Sequence, residues 1–169
     1  MKTVLVAIVA ALAVVAGASA AGTARGTASC TGAQLSGRFA LIPGSPGAGN
    51  IGYRLTLRNV STRTCTLTGL PHGRLLGKTG KPLPTTVVAA FPGALTAVLV
   101  TLAPRASAHA DARFSPDVPG PGEQHPGACE PVAYRLRVTP NGGGATTVAV
   151  SPPTPVCEHG SLRFTAYGR

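Results

Sequence analysis

Residues 49–73 read Gly-Asn-Ile-Gly-Tyr-Arg-Leu-Thr-Leu-Arg-Asn-Val-Ser-Thr-Arg-Thr-Cys-Thr-Leu-Thr-Gly-Leu-Pro-His-Gly, and this stretch decides the fold. From Tyr53 to Asn59 apolar and polar side chains alternate, which is the period of a β-strand with one buried and one solvated face. Residues 59–64 are polar and turn-forming, and Cys65 then opens a second apolar segment that Gly69 and Pro71 close. The stretch predicts the central strand of a sheet, followed by a cysteine that anchors the chain.

Short apolar or β-branched segments recur along the rest of the chain, separated by segments rich in glycine and proline. Residues 43–50 and 115–127 hold too many prolines and glycines to pair in a sheet, so both are predicted to be loops. About nine short strands and no helix in the mature chain predict an all-β protein, an antiparallel immunoglobulin-like β-sandwich. The predicted core between its sheets consists of Tyr53, Leu55, Leu57, Leu67, Val98, Val100, Leu102, Tyr134, Leu136, Val138 and Phe164.

The N-terminus has the features of a secretory signal peptide. Lys2 precedes an apolar run over residues 4–15, and Ala18-Ser19-Ala20 is a small-x-small cleavage site. The run is shorter than the ~20 residues that a membrane-spanning helix needs. We therefore expect residues 1–20 to be a cleaved secretory signal peptide, residues 21–29 a flexible N-terminal tail and residues 30–169 a single β-sandwich domain. The mature protein is expected to be secreted and extracellular, with no membrane span.

All four cysteines lie beyond the predicted cleavage site, and an even number in an exported chain predicts two disulfides. Three connectivities exist for four cysteines. We expect the pairing of neighbours along the chain, Cys30–Cys65 and Cys129–Cys157. The two disulfides would close loops of 35 and 28 residues. Each would remove roughly 3.5–4 kcal/mol of unfolded-chain entropy in the loop-closure model.

The mature chain is basic. Without Lys2, 14 of the 15 Lys and Arg residues remain against 5 Asp and Glu, a formal net charge of +9. In an exported protein this charge suits an anionic envelope polymer or lipid head groups rather than nucleic acid. The alternative is that singly scattered basic residues only keep the protein soluble.

Four arginines lie on the polar faces of two predicted strands. Arg54 and Arg58 occupy the strand of the quoted stretch, and Arg135 and Arg137 occupy a later strand with the same alternation. If the two strands share one sheet, the four guanidinium groups form one candidate binding face. If they lie in different sheets, the arginines never meet.

The sequence contains little that indicates catalysis. Gly77-Lys78-Thr79 is not a phosphate-binding loop, since prolines rather than a helix follow it. His109 and Asp111 share one strand face, but two solvated polar residues explain the pair better than a catalytic dyad. The five carboxylates are too few and scattered for glycosidase chemistry. Cys157-Glu158-His159 could bind a metal, yet a disulfide explains Cys157 better in an oxidising compartment. No catalytic, cofactor-binding or metal-binding residue is predicted.

Several motifs in order give the chain a resemblance to a known family. They are Leu55-Thr56-Leu57-Arg58-Asn59, Cys65-Thr66-Leu67-Thr68-Gly69-Leu70-Pro71, Gly77 to Gly80, Leu102-Ala103-Pro104, and the late Cys129 and Cys157. The chain resembles the exported actinobacterial family called domain of unknown function 4232. Two positions depart from that family's pattern, since Leu70 stands where it has Tyr or Phe and Arg105 where it usually has Gly. The resemblance implies no active-site residue.

The resulting functional hypothesis is an exported, non-enzymatic binding module without a cofactor. Its partner would be an anionic envelope polymer or another exported protein. A secreted protease inhibitor is one alternative, because Cys129-Glu130-Pro131-Val132-Ala133-Tyr134 echoes an inhibitory loop. An unrecognised hydrolase is the other.

The Asn59-Val60-Ser61 sequon matters only in a host that glycosylates.

Overall fold

The structure is a computed structural model that describes residues 26–93, 98–123, 129 and 131–169. In this part of the chain a 3₁₀ turn, Gly32–Gln34, precedes the first strand, and a left-handed helical turn, Cys157–Gly160, precedes the last. The all-β class predicted from the sequence is confirmed. The strands are β1 (Leu35–Leu41), β2 (Ile51–Asn59), β3 (Cys65–Thr68), β4 (His72–Leu76), β5 (Thr86–Ala89), β6 (Leu99–Leu102), β7 (Ser107–Phe114), β8 (Ala133–Thr139), β9 (Thr146–Thr154) and β10 (Ser161–Phe164).

Eight strands form one hydrogen-bonded sheet in the order β4-β8-β9-β1-β2-β7-β10-β5. Most neighbours are antiparallel, whereas β1 with β9 and β10 with β5 pair in parallel. The sheet rolls up until its two end strands approach each other, and the Leu75 N–H of β4 donates to Thr85 Oγ1 beside β5 at 2.9 Å. Strands β3 and β6 form a separate antiparallel pair. The architecture is a sandwich close to a closed barrel.

The core fills the inside of the rolled sheet. Phe39 lies at its centre, with its ring centroid 5.1 Å from that of Tyr53 and 5.8 Å from that of Phe164. Nine of the eleven core residues predicted from the sequence are buried. Small side chains of β7 let the rings approach, since Ala108, Ala110 and Ala112 occupy its inward positions.

Two predicted core residues are not buried, and each has a local reason. Val98 is 44% exposed because it precedes the paired part of β6, which begins at Leu99. Tyr134 is half-buried because a register shift between Ala133 and Arg135 opposite β9 breaks the alternation, so that Ala133 takes the inward position. A period-2 pattern does not reveal such an irregularity.

Several predicted bounds differ from the observed ones. The sequence predicts a strand over residues 146–150 and a rigid extended piece over 151–155, whereas β9 continues to Thr154, which pairs with Ala133. The chain also joins the domain before Cys30, because the Thr66 N–H donates to the carbonyl of Ala28 at 3.0 Å. The predicted signal peptide lies outside the described residues, as does the start of a strand that the sequence predicts over residues 95–102.

Both predicted disulfides are present, with Cα–Cα distances of 4.8 Å for Cys30–Cys65 and 5.4 Å for Cys129–Cys157. The first ties the segment before β1 to the start of β3. The second ties the loop after β7 to the left-handed turn before β10. The sequence predicts that the second disulfide joins the two last long strands, whereas it links a loop to a turn.

Asn59 connects the rolled sheet to the small one through a fully buried side chain. Its Nδ2 donates to the carbonyls of Arg63, at 2.7 Å, and Leu102, at 3.0 Å. Its Oδ1 accepts from the N–H and the hydroxyl of Ser61. Every hydrogen-bonding atom of this amide is used, so a buried polar group is accommodated without an unpaired donor or acceptor.

Replacing Leu55 by Ala is expected to lower the free energy of unfolding by about 2–5 kcal/mol, because a fully buried side chain would leave a cavity. Urea denaturation followed by circular dichroism measures the loss. Arg58→Ala on the exposed face of the same strand is the control and should change little. Equal losses in the two variants would contradict the assigned faces of β2.

Replacing Asn59 by Ala is expected to cost about 2–4 kcal/mol, since the buried Leu102 carbonyl and the Ser61 N–H would lose their partner. The same urea titration applies. Val60→Ala, at the exposed neighbouring position, should stay within about 0.5 kcal/mol of the parent. A neutral Asn59→Ala variant would show that the amide does not hold the two sheets together.

Candidate binding surface

The structure places the four predicted arginines on the outer face of one sheet but in two separate places. Arg54 and Arg58 lie on β2, whereas Arg135 and Arg137 lie on β8. Strands β9 and β1 intervene, so the two pairs are three strand spacings apart, roughly 14 Å along the sheet. The four guanidinium groups therefore do not form one patch.

Arg54 is neutralised by a neighbour. Its Nε and one terminal nitrogen donate to the two oxygens of Asp111, directly opposite on β7, each at 2.7 Å. The hydrogen bond from Arg54 lowers the pKa of the Asp111 carboxyl, against an opposing effect of burial, and the same bond raises the pKa of Arg54. This bidentate pair adds no net charge to the surface.

Two further arginines are used as hydrogen-bond donors to backbone. Arg58 Nε donates to the carbonyl of Arg105 at 3.1 Å, and an Arg135 terminal nitrogen donates to the carbonyl of Lys78 at 2.9 Å. Neither bond neutralises the guanidinium, but each fixes its direction. Arg135 is thereby drawn towards the turn that follows β4.

Arg137 faces a second arginine. Arg74 on β4 lies directly opposite it in the antiparallel register, and both side chains are exposed. Together with His72, Gly73, Val87 and Thr139 they line an open cleft of about 320 Å³, called here the β4–β5 cleft. Neither arginine has an acidic partner among the described residues. Two like charges opposite one another destabilise a strand pair, so this arrangement has a cost.

Charge is segregated around the cleft. No Asp or Glu occurs in residues 26–110 or 131–157, the ranges that supply β4, β5, β8 and β9. The cations on β4, on β8 and in the turn after β4 are Arg74, Lys78, Lys81, Arg135 and Arg137. The acidic residues that the structure describes lie on β7, in the loop after it and at the left-handed turn. The β4–β5 cleft is therefore a cationic concavity without counter-charge from its own strands.

A second groove, of about 440 Å³, lies on the outer face over β2, β7 and β10. Arg113 and Arg163 face each other across its floor, and Phe91 at its rim is 67% exposed. Here the charges are largely balanced, because Asp111 pairs with Arg54 and Glu158 lies 3.3 Å from Arg163. This groove has a weaker positive field than the β4–β5 cleft.

With the geometry of the surface established, comparison with known proteins gives one match. The family model "Domain of unknown function (DUF4232)" matches residues 30–168, nearly the whole described chain. The chain belongs to the DUF4232 family. The family resemblance read from the sequence motifs is thus confirmed, while the actinobacterial source stays a prediction. No curated protein and no solved structure matches the chain.

In this DUF4232 domain the residues considered for catalysis are occupied with other contacts. Both oxygens of Asp111 accept from Arg54, so its carboxylate does not serve mainly to orient His109. Cys157 is in its disulfide, and the Glu158 carboxylate accepts from Arg163.

No helix in the described ranges is both long and apolar enough to cross a membrane.

Sequence reasoning missed His72 and Arg74 as part of the candidate surface, although the apolar residues after Arg74 do predict a short strand over residues 74–76. The pairing of β4 with β8 brings them to Arg137, and a register of this kind is not readable from one sequence. The distribution of acidic residues along the sequence could have indicated this surface. A run of 85 residues without Asp or Glu, residues 26–110, already indicates where unbalanced positive charge accumulates.

Glu123 holds the left-handed turn next to the second disulfide. Glu158 and His159 have φ values of 54°, which side chains rarely adopt. The Glu123 side chain, 3% exposed, accepts hydrogen bonds from the N–H groups of Gly120, Glu158 and His159. Burial raises the pKa of the Glu123 carboxyl, but these N–H groups outweigh burial and keep its pKa below the usual value.

Stability is expected to fall at acidic pH through Glu123. Because the folded-state pKa is depressed, the contribution is fully present above the ordinary pKa of 4.5 and is lost as pH falls through the lower folded value. Urea midpoints measured from pH 7 to pH 3 should therefore decrease below about pH 4.5. In Glu123→Gln that decrease should be smaller, whereas Asp117→Asn, at an exposed position, should follow the parent. Identical pH profiles for Glu123→Gln and the parent would refute this role.

Proposed function

We propose that this DUF4232 domain is an exported, non-enzymatic binding module that holds an anionic partner in the β4–β5 cleft. The observation that carries the proposal is the pair Arg74 and Arg137, which lie opposite each other, exposed, without an acidic partner among the described residues. An anion placed between them would relieve the repulsion of the free protein. Relief of the repulsion between the two arginines would thus contribute to the free energy of binding.

The export part of the proposal rests on the disulfides and on the predicted signal peptide. Disulfides persist in oxidising compartments, and both cysteine pairs are joined here. The immunoglobulin-like arrangement predicted from the sequence also belongs to the proposal. It is supported by strands that face one another across a common core.

The cleft suits a polyanion better than the second groove does. Two cations, Arg74 and Arg137, line the cleft, and the strands that supply them hold no carboxylate. Lys78 and Lys81, in the turn after β4, and Arg135 on β8 add positive charge, and the Lys78 carbonyl fixes Arg135. An extended anion could therefore contact both guanidinium groups at once. An anionic polymer of the envelope and an acidic segment of an exported protein share this chemistry.

The proposed anion binding is tested by measuring the affinity of the domain for immobilised polyphosphate and polyglutamate at low and high salt. The double variant Arg74→Ser/Arg137→Ser should weaken binding at low salt at least about tenfold, because close anion contacts are lost. The matched control is Arg38→Ser/Arg63→Ser, which removes the same formal charge from two exposed positions outside the cleft. It should change binding less than about twofold.

Equal loss in the two double variants would show that only net charge matters, and the cleft would lose its assigned role. Binding that ignores both salt and substitution would exclude the cationic surface altogether. Turnover of a peptide or glycan by the same preparation would contradict the non-enzymatic character, and inhibition of a secreted protease would favour the inhibitor alternative.

A further inference from the structure

The β4–β5 cleft is also the place where the rolled sheet fails to close. β4 and β5 are the two ends of the eight-stranded sheet. They are tied at one end, where Leu83 N–H donates to the Leu75 carbonyl at 2.9 Å and Leu75 N–H donates to Thr85 Oγ1. Beyond these bonds no backbone hydrogen bond joins β4 to β5 among the described residues. The cleft occupies the open part.

The direction of the backbone groups follows from these same bonds. Leu75 points its N–H and C=O away from β8, and alternation along a strand gives Gly73 the same direction. On β5, the N–H of Ala90 donates to the Phe164 carbonyl of β10 at 2.8 Å. Alternation then turns the peptide groups of Val87 and Ala89 away from β10. Both edges present N–H and C=O groups to the cleft.

The side chain of Val87 supports an opening at this place. It packs against the core from the inner face of β5, yet it stays only partly buried and lines the cleft. Across the gap, Gly73 contributes no side chain to close it. An inward-facing valine with solvent access indicates room for one more inward-facing apolar side chain.

Strand β5 lacks the usual protection of an edge. Natural edges carry charged residues, proline or bulges that discourage pairing with another chain. Prolines and lysines occur in the turn before β5, at Lys78, Lys81, Pro82 and Pro84, but β5 itself reads Thr-Val-Val-Ala. This sequence has high β-propensity and no charge.

We propose that the β4–β5 cleft accepts an extended segment of a partner protein, which adds as a strand to the edge of β5. Backbone N–H and C=O groups of Val87 and Ala89 would bind the peptide backbone, and alternate side chains would point in and out. Inward side chains would be apolar, against Val87. Outward side chains would be acidic, near Arg74 and Arg137. For its acidic positions the inference rests on the proposed anion site.

The probe is the blocked hexapeptide acetyl-Glu-Val-Glu-Val-Glu-Val-amide, which has this alternation. Two controls have the same sequence with N-methyl groups on either the three glutamates or the three valines, so that the charge is unchanged and alternate N–H donors are removed. Polyphosphate serves as an anion that cannot form a strand. Binding is followed by titration calorimetry, and amide hydrogen exchange of Val87 and Ala89 is followed by NMR.

The unmodified peptide should bind and slow the exchange of both amides, and at least one methylated peptide should bind about tenfold more weakly or worse. Val87→Pro removes an N–H that faces the cleft without removing a bond to β10, and it should weaken the peptide but not polyphosphate. Slowed exchange of Val87 and Ala89 on peptide binding is independent of whether that variant folds.

Equal binding of all three peptides, or binding of polyphosphate but not of the unmodified peptide, would overturn strand addition and leave the anion site standing. Failure of both polyphosphate and peptide to bind would overturn both proposals. Peptide binding that Arg74→Ser/Arg137→Ser does not weaken would support the strand site and remove its preference for acidic positions.

Discussion

The buried amide of Asn59 is the constraint on which the arrangement of the two sheets depends. It binds the Leu102 carbonyl at the end of β6 and the turn that leads to β3, so the small sheet is fixed against the end of β2. Strand β3 in turn holds the first disulfide, which fixes the entry into β1. A polar group without water must satisfy all its donors and acceptors, and only one relative position of the sheets does so.

On the outer face of the eight-stranded sheet, by contrast, not every charged group has a partner of opposite charge. Where Arg54 meets Asp111 the charges cancel, and this part of the surface is stabilised by its own pairing. Where Arg74 meets Arg137 the repulsion is left in place. Because this pair lies beside an unclosed strand edge, positive charge and free backbone groups meet in one surface.

The sequence predicted the buried faces well because one-sided burial imposes a period of two on side chains. β2 shows this, since Tyr53, Leu55 and Leu57 point inward as the alternation requires. It also predicted both disulfides. It failed where geometry departs from regularity, at the irregularity beside Ala133 and at the approach to β6. The position of β8 relative to β2 depends on which strands insert between them, and strand order has no local pattern in the sequence. The sequence therefore could not show that the two arginine pairs lie apart.

The full use of the Asn59 side chain has a consequence for how the protein can be made. Asn59-Val60-Ser61 is an acceptor sequence for N-linked glycans, and eukaryotic secretory cells attach such glycans to Nδ2. That nitrogen is fully buried and donates to two backbone carbonyls in the folded domain. A sugar attached during synthesis would occupy the space of the Leu102 strand, and the small sheet could not dock. Bacterial export or oxidative refolding suits this chain, whereas a glycosylating host would modify the atom on which its folding depends.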